Sequence, residues 1–206
     1  MYALVEDNSI TKIFPGPKGF EHNGNQYSPD IFFKWSKAEK EAIGLYEVTT
    51  DSTNYKDEQW YINTNESFTF NSGKVTRSWG TATPKKHTDT LWTEEDKTEG
   101  NIPEGKDVGD VAVEGLKTQL IRTIKQQAAG ILQDTDWYII RKADAGTAVP
   151  SSITTHRAAV RTKCAEMETS ITNASDTPAL ETLYTYTKQE DGSITRPLGE
   201  LPMLEA

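Results

Sequence analysis

Four groups of residues have types and spacings that could do chemistry. Gly100-Asn101-Ile102-Pro103-Glu104-Gly105-Lys106-Asp107 comes within one residue of a phosphate-binding loop. The working pattern ends in Ser or Thr, whose hydroxyl ligates magnesium, and it joins a buried strand to a helix. Here Asp107 would set a carboxylate against phosphate, and the acidic stretch 93–99 before it cannot be a core strand, so the match is read as chance in a Gly-rich segment. His22, His87 and His156 have neither an i+4 His nor a Cys pair at ligand spacing. His156 falls on or beside an apolar helical face, where a hydrogen-bonded core or interface histidine is the simpler reading. Cys164, the single cysteine, sits on an apolar stripe as a small hydrophobe, with no base placed to activate it. Asp134 and Asp136 could ligate a metal, but between two helical segments capping and dipole stabilisation explain them better. No nucleophile, base and oxyanion site assemble. The expectation is a non-enzymatic binding protein with no cofactor and no metal.

The elements that would position these residues follow from periodicity. Residues 1–82 read as an antiparallel β module. Apolar runs 2–5 and 10–14 flank the turn cluster Glu6-Asp7-Asn8-Ser9, and Asn23-Gly24 marks a second turn. Ser36 and Glu39 form a capping box for a short helix closed by Gly44, and strands are expected at 45–48, 59–62, 67–70 and 74–79. Residues 83–112 carry many charges, glycines and prolines with no sustained period, and read as a linker or extended polar arm. Leu91 and Trp92 are its candidate anchors on a protein partner.

From 113 to 184 the period turns helical. Leu116, Leu120, Ile121, Ile124, Ala128, Ile131 and Leu132 form one stripe; Ile153, Val160, Cys164, Met167 and Ile171 form another. Asp134 or Thr135 is expected to cap a short helix over 137–145, Pro150 to open the next helix, and Asp176 to start a last one. Residues 185–206 read as a polar tail with a hairpin around Asp191-Gly192. The fold class is α+β.

Composition narrows the partners. The 206 residues carry 31 acidic and 22 basic side chains, a net charge of −9, and no basic stripe to displace counterions from phosphates. This argues against nucleic acid. No apolar run approaches the roughly 20 residues of a membrane span, and the N-terminus has no basic, leader-like region. The hydrophobic fraction is only 35%, eased by five Trp, eight Tyr and six Phe, which predicts an ordered protein with a thin core that leans on partners.

Residues 131–142, Ile-Leu-Gln-Asp-Thr-Asp-Trp-Tyr-Ile-Ile-Arg-Lys, resemble the Leu-x-x-Thr-Asp-Trp core of bacteriophage tail assembly and tail-fibre assembly proteins. The following Pro150 and 155–161 are similar to that family's Pro-x5-Tyr-Arg-x-x-Leu-Arg segment, with His156 and Val160 in place of Tyr and Leu. The N-terminal module resembles the small β modules that open many phage tail accessory proteins. The resemblance implies a tail-associated virion protein, made in the host cytoplasm and bound in several copies to tail, fibre or adaptor proteins. Its alternative is a fibre-assembly chaperone that leaves the particle. Within the motif, Asp134, Asp136, Trp137, Arg157 and Arg161 are expected to form a structural clasp. Trp137 would be buried between helices, Arg157 would pair with Asp134 or Asp136, and Arg161 would lie one turn on along the same face.

Overall fold

The computed structural model describes residues 1–204, and the chain is α+β. It divides into two compact units between Thr83 and Pro84.

In the N-terminal unit, β1 (Tyr2–Glu6) and β2 (Ser9–Phe14) form a hairpin whose Asp7 and Asn8 take positive φ, as the tight turn requires. A second hairpin joins β3 (Phe20–His22) to β4 (Asn25–Tyr27). Then come α1 (Ile31–Lys34), α2 (Lys37–Ala42), β5 (Leu45–Thr50), β6 (Tyr61–Ile62), β7 (Ser67–Asn71) and β8 (Lys74–Ser78). The main sheet has the order β2-β1-β5-β8-β7. It is not wholly antiparallel, a correction to the reading from sequence: β5 and β8 run parallel, with Val48 opposite Val75. The chain between them is long enough to cross over and return in the same direction.

Alternation along β1 sends its side chains into two cores. Leu4 packs with Phe14, Phe20, Ile31, Phe32 and Leu45 beneath the second hairpin and the short helices. Ala3 and Val5 pack with Val75, bordered by Ile13, Tyr46 and Phe70, on the other face. The sheet curls so that its outer strands β2 and β7 approach each other. Ser36 and Glu39 make the expected capping box on α2. Their hydrogen bonds hold the Glu39 carboxyl below the usual carboxylate range. Gly44 ends this helix at φ 79°, its carbonyl accepting from Val5 N at 2.8 Å, and a Cβ there would stand 2.5 Å from Val5 O. Only glycine fits.

The strand β9 (Thr83–Pro84) carries the chain across the division. The C-terminal unit then holds β10 (Thr90–Leu91), α3 (Glu94–Glu99), β11 (Val111–Val113), α4 (Leu116–Gln133), α5 (Asp136–Ala145), α6 (Ser151–Asn173), α7 (Thr177–Tyr184) and a closing hairpin, β12 (Thr187–Lys188) with β13 (Ile194–Thr195). Helices α4 and α6 pack antiparallel. Lys117 near the start of α4 donates to Thr172 O near the end of α6, and Lys125 pairs with Glu168 at 3.0 Å. Between them lie Ile124, Ala128, Val160, Cys164, Met167 and Ile171, all buried, each larger aliphatic contributing about 1.5–3 kcal/mol. Asp176 caps α7 through Ala179 N at 2.8 Å.

The polar segment 83–112 is not a free linker. β10 pairs with β11, the carbonyls of Lys86 and His87 accept from Leu116 N and Lys117 N, and Lys85 O accepts from Thr177 Oγ1 at 2.6 Å. Asp89 accepts from Gly115 N at 2.7 Å and Thr118 Oγ1 at 2.9 Å. The segment supplies the acceptors that the first turn of α4 needs, a long-range role that local periodicity cannot reveal. What projects is the excursion between β10 and β11, including α3, whose capping box is Thr93 with Asp96. The phosphate-loop lookalike is part of it. Gly100 is the left-handed C-cap of α3, and Asp107 is occupied by Lys97 Nζ at 3.0 Å and Val108 N at 2.8 Å.

Candidate functional site

The clasp expected around Asp136 and Arg157 forms, with a different membership. Thr135 is 2% exposed and Arg157 is 7% exposed. The guanidinium Nη1 of Arg157 donates to Leu132 O at 2.7 Å and to Thr135 Oγ1 at 2.6 Å, and Nη2 pairs with Asp136 Oδ1 at 2.8 Å. One side chain of α6 thus ties the last turn of α4 to the first turn of α5. The buried charge is acceptable because three acceptors surround it, one of them an anion.

Three expectations are corrected here. Thr135 stands at the N-cap of α5 but its hydroxyl makes no cap bond, because it donates to Leu132 O at 2.9 Å and receives Arg157. Asp134 does not cap α5 either: it is the exposed C-cap of α4 and makes no pair with Arg157. Arg161 lies outside the clasp, exposed, with its Nη1 3.5 Å from Arg157 O.

The largest correction concerns Trp137, which is 49% exposed rather than buried between helices. Its ring lies 3.9 Å from that of Tyr138, and the guanidinium of Arg141 sits over both rings, at 4.6 and 5.6 Å. Ile139 and Ile140 are 42% and 66% exposed, and α5 has no buried residue. The cause is geometric. Four consecutive large apolar residues on a helix, each turned by about 100°, surround its axis. A ten-residue helix held at its N-terminus by Arg157 cannot present all of them to α4 and α6. An isolated helix of this length is also marginal in water. Exposed apolar faces of this kind are what helix-in-groove protein contacts use. The signal is present in Trp137-Tyr138-Ile139-Ile140, but attention to the tryptophan alone turns it into an expectation of one buried ring.

Removing Arg157 tests the clasp. Arg157→Ala is expected to lower the urea-unfolding stability of the C-terminal unit by about 2–3 kcal/mol, since it strands buried acceptors. Asp136→Asn, at a carboxylate more than half exposed, is expected to cost under about 1 kcal/mol. The reverse ranking would show that the ion pair, not the buried hydrogen bonds, holds α5.

Of the other candidate anchors, Leu91 is 47% exposed at the end of β10, while Trp92 is half-buried and fixed by backbone bonds to Gly109 and Asp110. His22 is buried, its Nδ1 2.9 Å from Glu6 and its Nε2 3.1 Å from the Asn23 amide, a satisfied structural histidine. His156 is buried in α6 with Nε2 unpaired. Cys164 donates to Glu168 Oε1 at 3.4 Å, and burial first, then that bond, push its thiol pKa up. A raised pKa keeps the folded thiol neutral, so its contribution to stability is present below the unfolded thiol pKa and fades as pH rises through the folded value. Alkylation of Cys164 by iodoacetamide near pH 8 is accordingly expected to run at least about tenfold slower in the folded protein than in urea. Equal rates would show an accessible thiolate.

A cleft of about 650 Å³ in the C-terminal unit is lined by Ile131, Asp134, Met167, Tyr186, Arg196 and Glu200, among others. Its charged groups serve each other: Arg196 pairs with Glu200 at 2.8 Å, and Tyr186 donates to the same carboxylate at 2.6 Å. Among the described residues no three His, Cys, Asp or Glu side chains come together to hold a metal, and no helix is long and apolar enough to cross a membrane. No protein-family model, no curated protein and no solved structure matches the chain.

Proposed function

We propose that this chain is a bacteriophage tail-associated structural protein, a non-catalytic accessory component that binds other tail, fibre or adaptor proteins through α5. The observation that carries the reading is the uncovered apolar helix 136–145 within the Thr-Asp-Trp segment that resembles tail and tail-fibre assembly proteins. Arg157 fixes the base of that helix, and the clustered Trp137, Tyr138 and Arg141 supply the aromatic and guanidinium groups that dominate protein interfaces. The net charge of −9 and the lack of a basic stripe favour a protein partner over nucleic acid.

The same resemblance supports a second reading, a fibre-assembly chaperone that is not retained. Mass spectrometry of purified virions separates the two. Peptides of the chain at structural-protein abundance in the particle support the first. Recovery only from the soluble lysate, bound to a fibre protein, assigns it as the chaperone. Absence from both sinks the phage reading.

A further inference from the structure

We propose that α5 docks on residues 91–95 of a second copy of this chain, so that copies join head to tail; the inference rests on the reading of α5 as a docking helix. The chemistry of the two surfaces is complementary. On α5, Asp136 is occupied by Arg157, whereas the Arg141 guanidinium, over the Trp137 and Tyr138 rings, has no anionic partner among the described residues. Beside it lie the exposed Trp137 and Ile140. Residues 91–95 present the counterpart: Leu91, 47% exposed, followed by the acidic first turn of α3, where Glu95 is exposed and makes no ion pair among the described residues. The excursion 93–110 holds seven acids and two bases, a local charge of −5. A guanidinium fork meeting Glu95, with Leu91 against Trp137 and Ile140, satisfies both surfaces.

The two patches lie towards opposite ends of α4. Residues 86–89, just before β10, hydrogen-bond to its first turn, and α5 follows its C-terminal end. The eighteen residues of α4 span about 27 Å. Unlike patches at opposite ends make a heterologous contact, which builds rings or filaments rather than two-fold dimers.

Charge exchange provides the test, read as weight-average mass by analytical ultracentrifugation across roughly 1–100 µM, where an interface of standard size should associate. The wild-type mass is expected to rise well above 23.0 kDa with concentration. Arg141→Glu alone and Glu95→Arg alone should each stay monomeric, since each sets like charges face to face. Mixed in equal amounts, the two variants should associate again. The carboxylate introduced on α5 of one variant then meets the guanidinium introduced on α3 of the other, while the native pair forms at the alternate joint. A wild-type protein that stays at the monomer mass, single variants that associate like wild type, or a mixture that stays monomeric would each overturn the proposal. A monomeric wild type would leave the docking role of α5 standing, because that role is read separately from incorporation of Trp137 variants into particles.

Discussion

Gly115→Ala is expected to lower the stability of the C-terminal unit by about 3 kcal/mol, read as a fall in the urea midpoint at unchanged slope. The backbone at Gly115 is ordinary (φ −79°), so the loss is one of space and not of conformational freedom. A Cβ would stand 2.3 Å from the Thr88 carbonyl carbon, 2.4 Å from its oxygen and 2.8 Å from His87 O. None of these is the end of a flexible side chain. Lys86 O and His87 O accept from Leu116 N and Lys117 N, and Asp89 receives both Gly115 N and Thr118 Oγ1. The alanine can enter only by pushing the 86–89 segment off the start of α4, which forfeits the cap, about 1 kcal/mol, on top of an overpacking cost of about 1–3 kcal/mol. Asp89→Ala, which loses the cap without the clash, is expected to cost about 1 kcal/mol. Equal midpoints for Gly115→Ala and wild type would mean that this segment does not pack on α4.

That contact also marks the limit of what the sequence discloses. The hairpin at Asp7-Asn8, the capping box at Ser36 and Glu39, the helical stripes of α4 and α6, and the Asp176 cap are local features. Each depends on residues within a few positions, and each is legible from spacing. Apart from the Asp89 carboxylate, the clip between 85–89 and the starts of α4 and α7 uses backbone carbonyls as acceptors, which every residue has, so no side-chain pattern announces it. The segment's charges and glycines describe its surface and say nothing of the carbonyls beneath. The parallel pairing of β5 with β8 is hidden similarly, because alternation reports faces and not strand direction. Arg157 is an intermediate case. Its pairing with Asp136 follows from the types and placement of the residues. The two hydrogen bonds that make it buried, to Leu132 O and Thr135, do not.

On the proposed reading of α5, Trp137→Ala is expected to leave the fold nearly intact and to abolish docking. In a core setting a Trp-to-Ala change costs about 3–5 kcal/mol. Here the ring is 49% exposed and its named contacts are Tyr138 and Arg141 on its own helix. The change in unfolding free energy should therefore stay below about 1 kcal/mol. Against a partner the same ring is the largest apolar group on α5, and it supports the guanidinium of Arg141 from below. An interface tryptophan at the centre of such a patch contributes about 2–4 kcal/mol, equivalent to roughly a 30- to 1000-fold loss of affinity. Complementing phage growth with the variant reads both numbers together. The purified variant should keep its thermal midpoint, while its peptides in purified particles fall by about thirtyfold or more relative to wild type. Tyr138→Phe, which keeps the ring stack, should be incorporated normally. A variant that loses several kcal/mol of stability would return Trp137 to the core. A stable variant that still enters particles at the wild-type level would remove α5 from the interface.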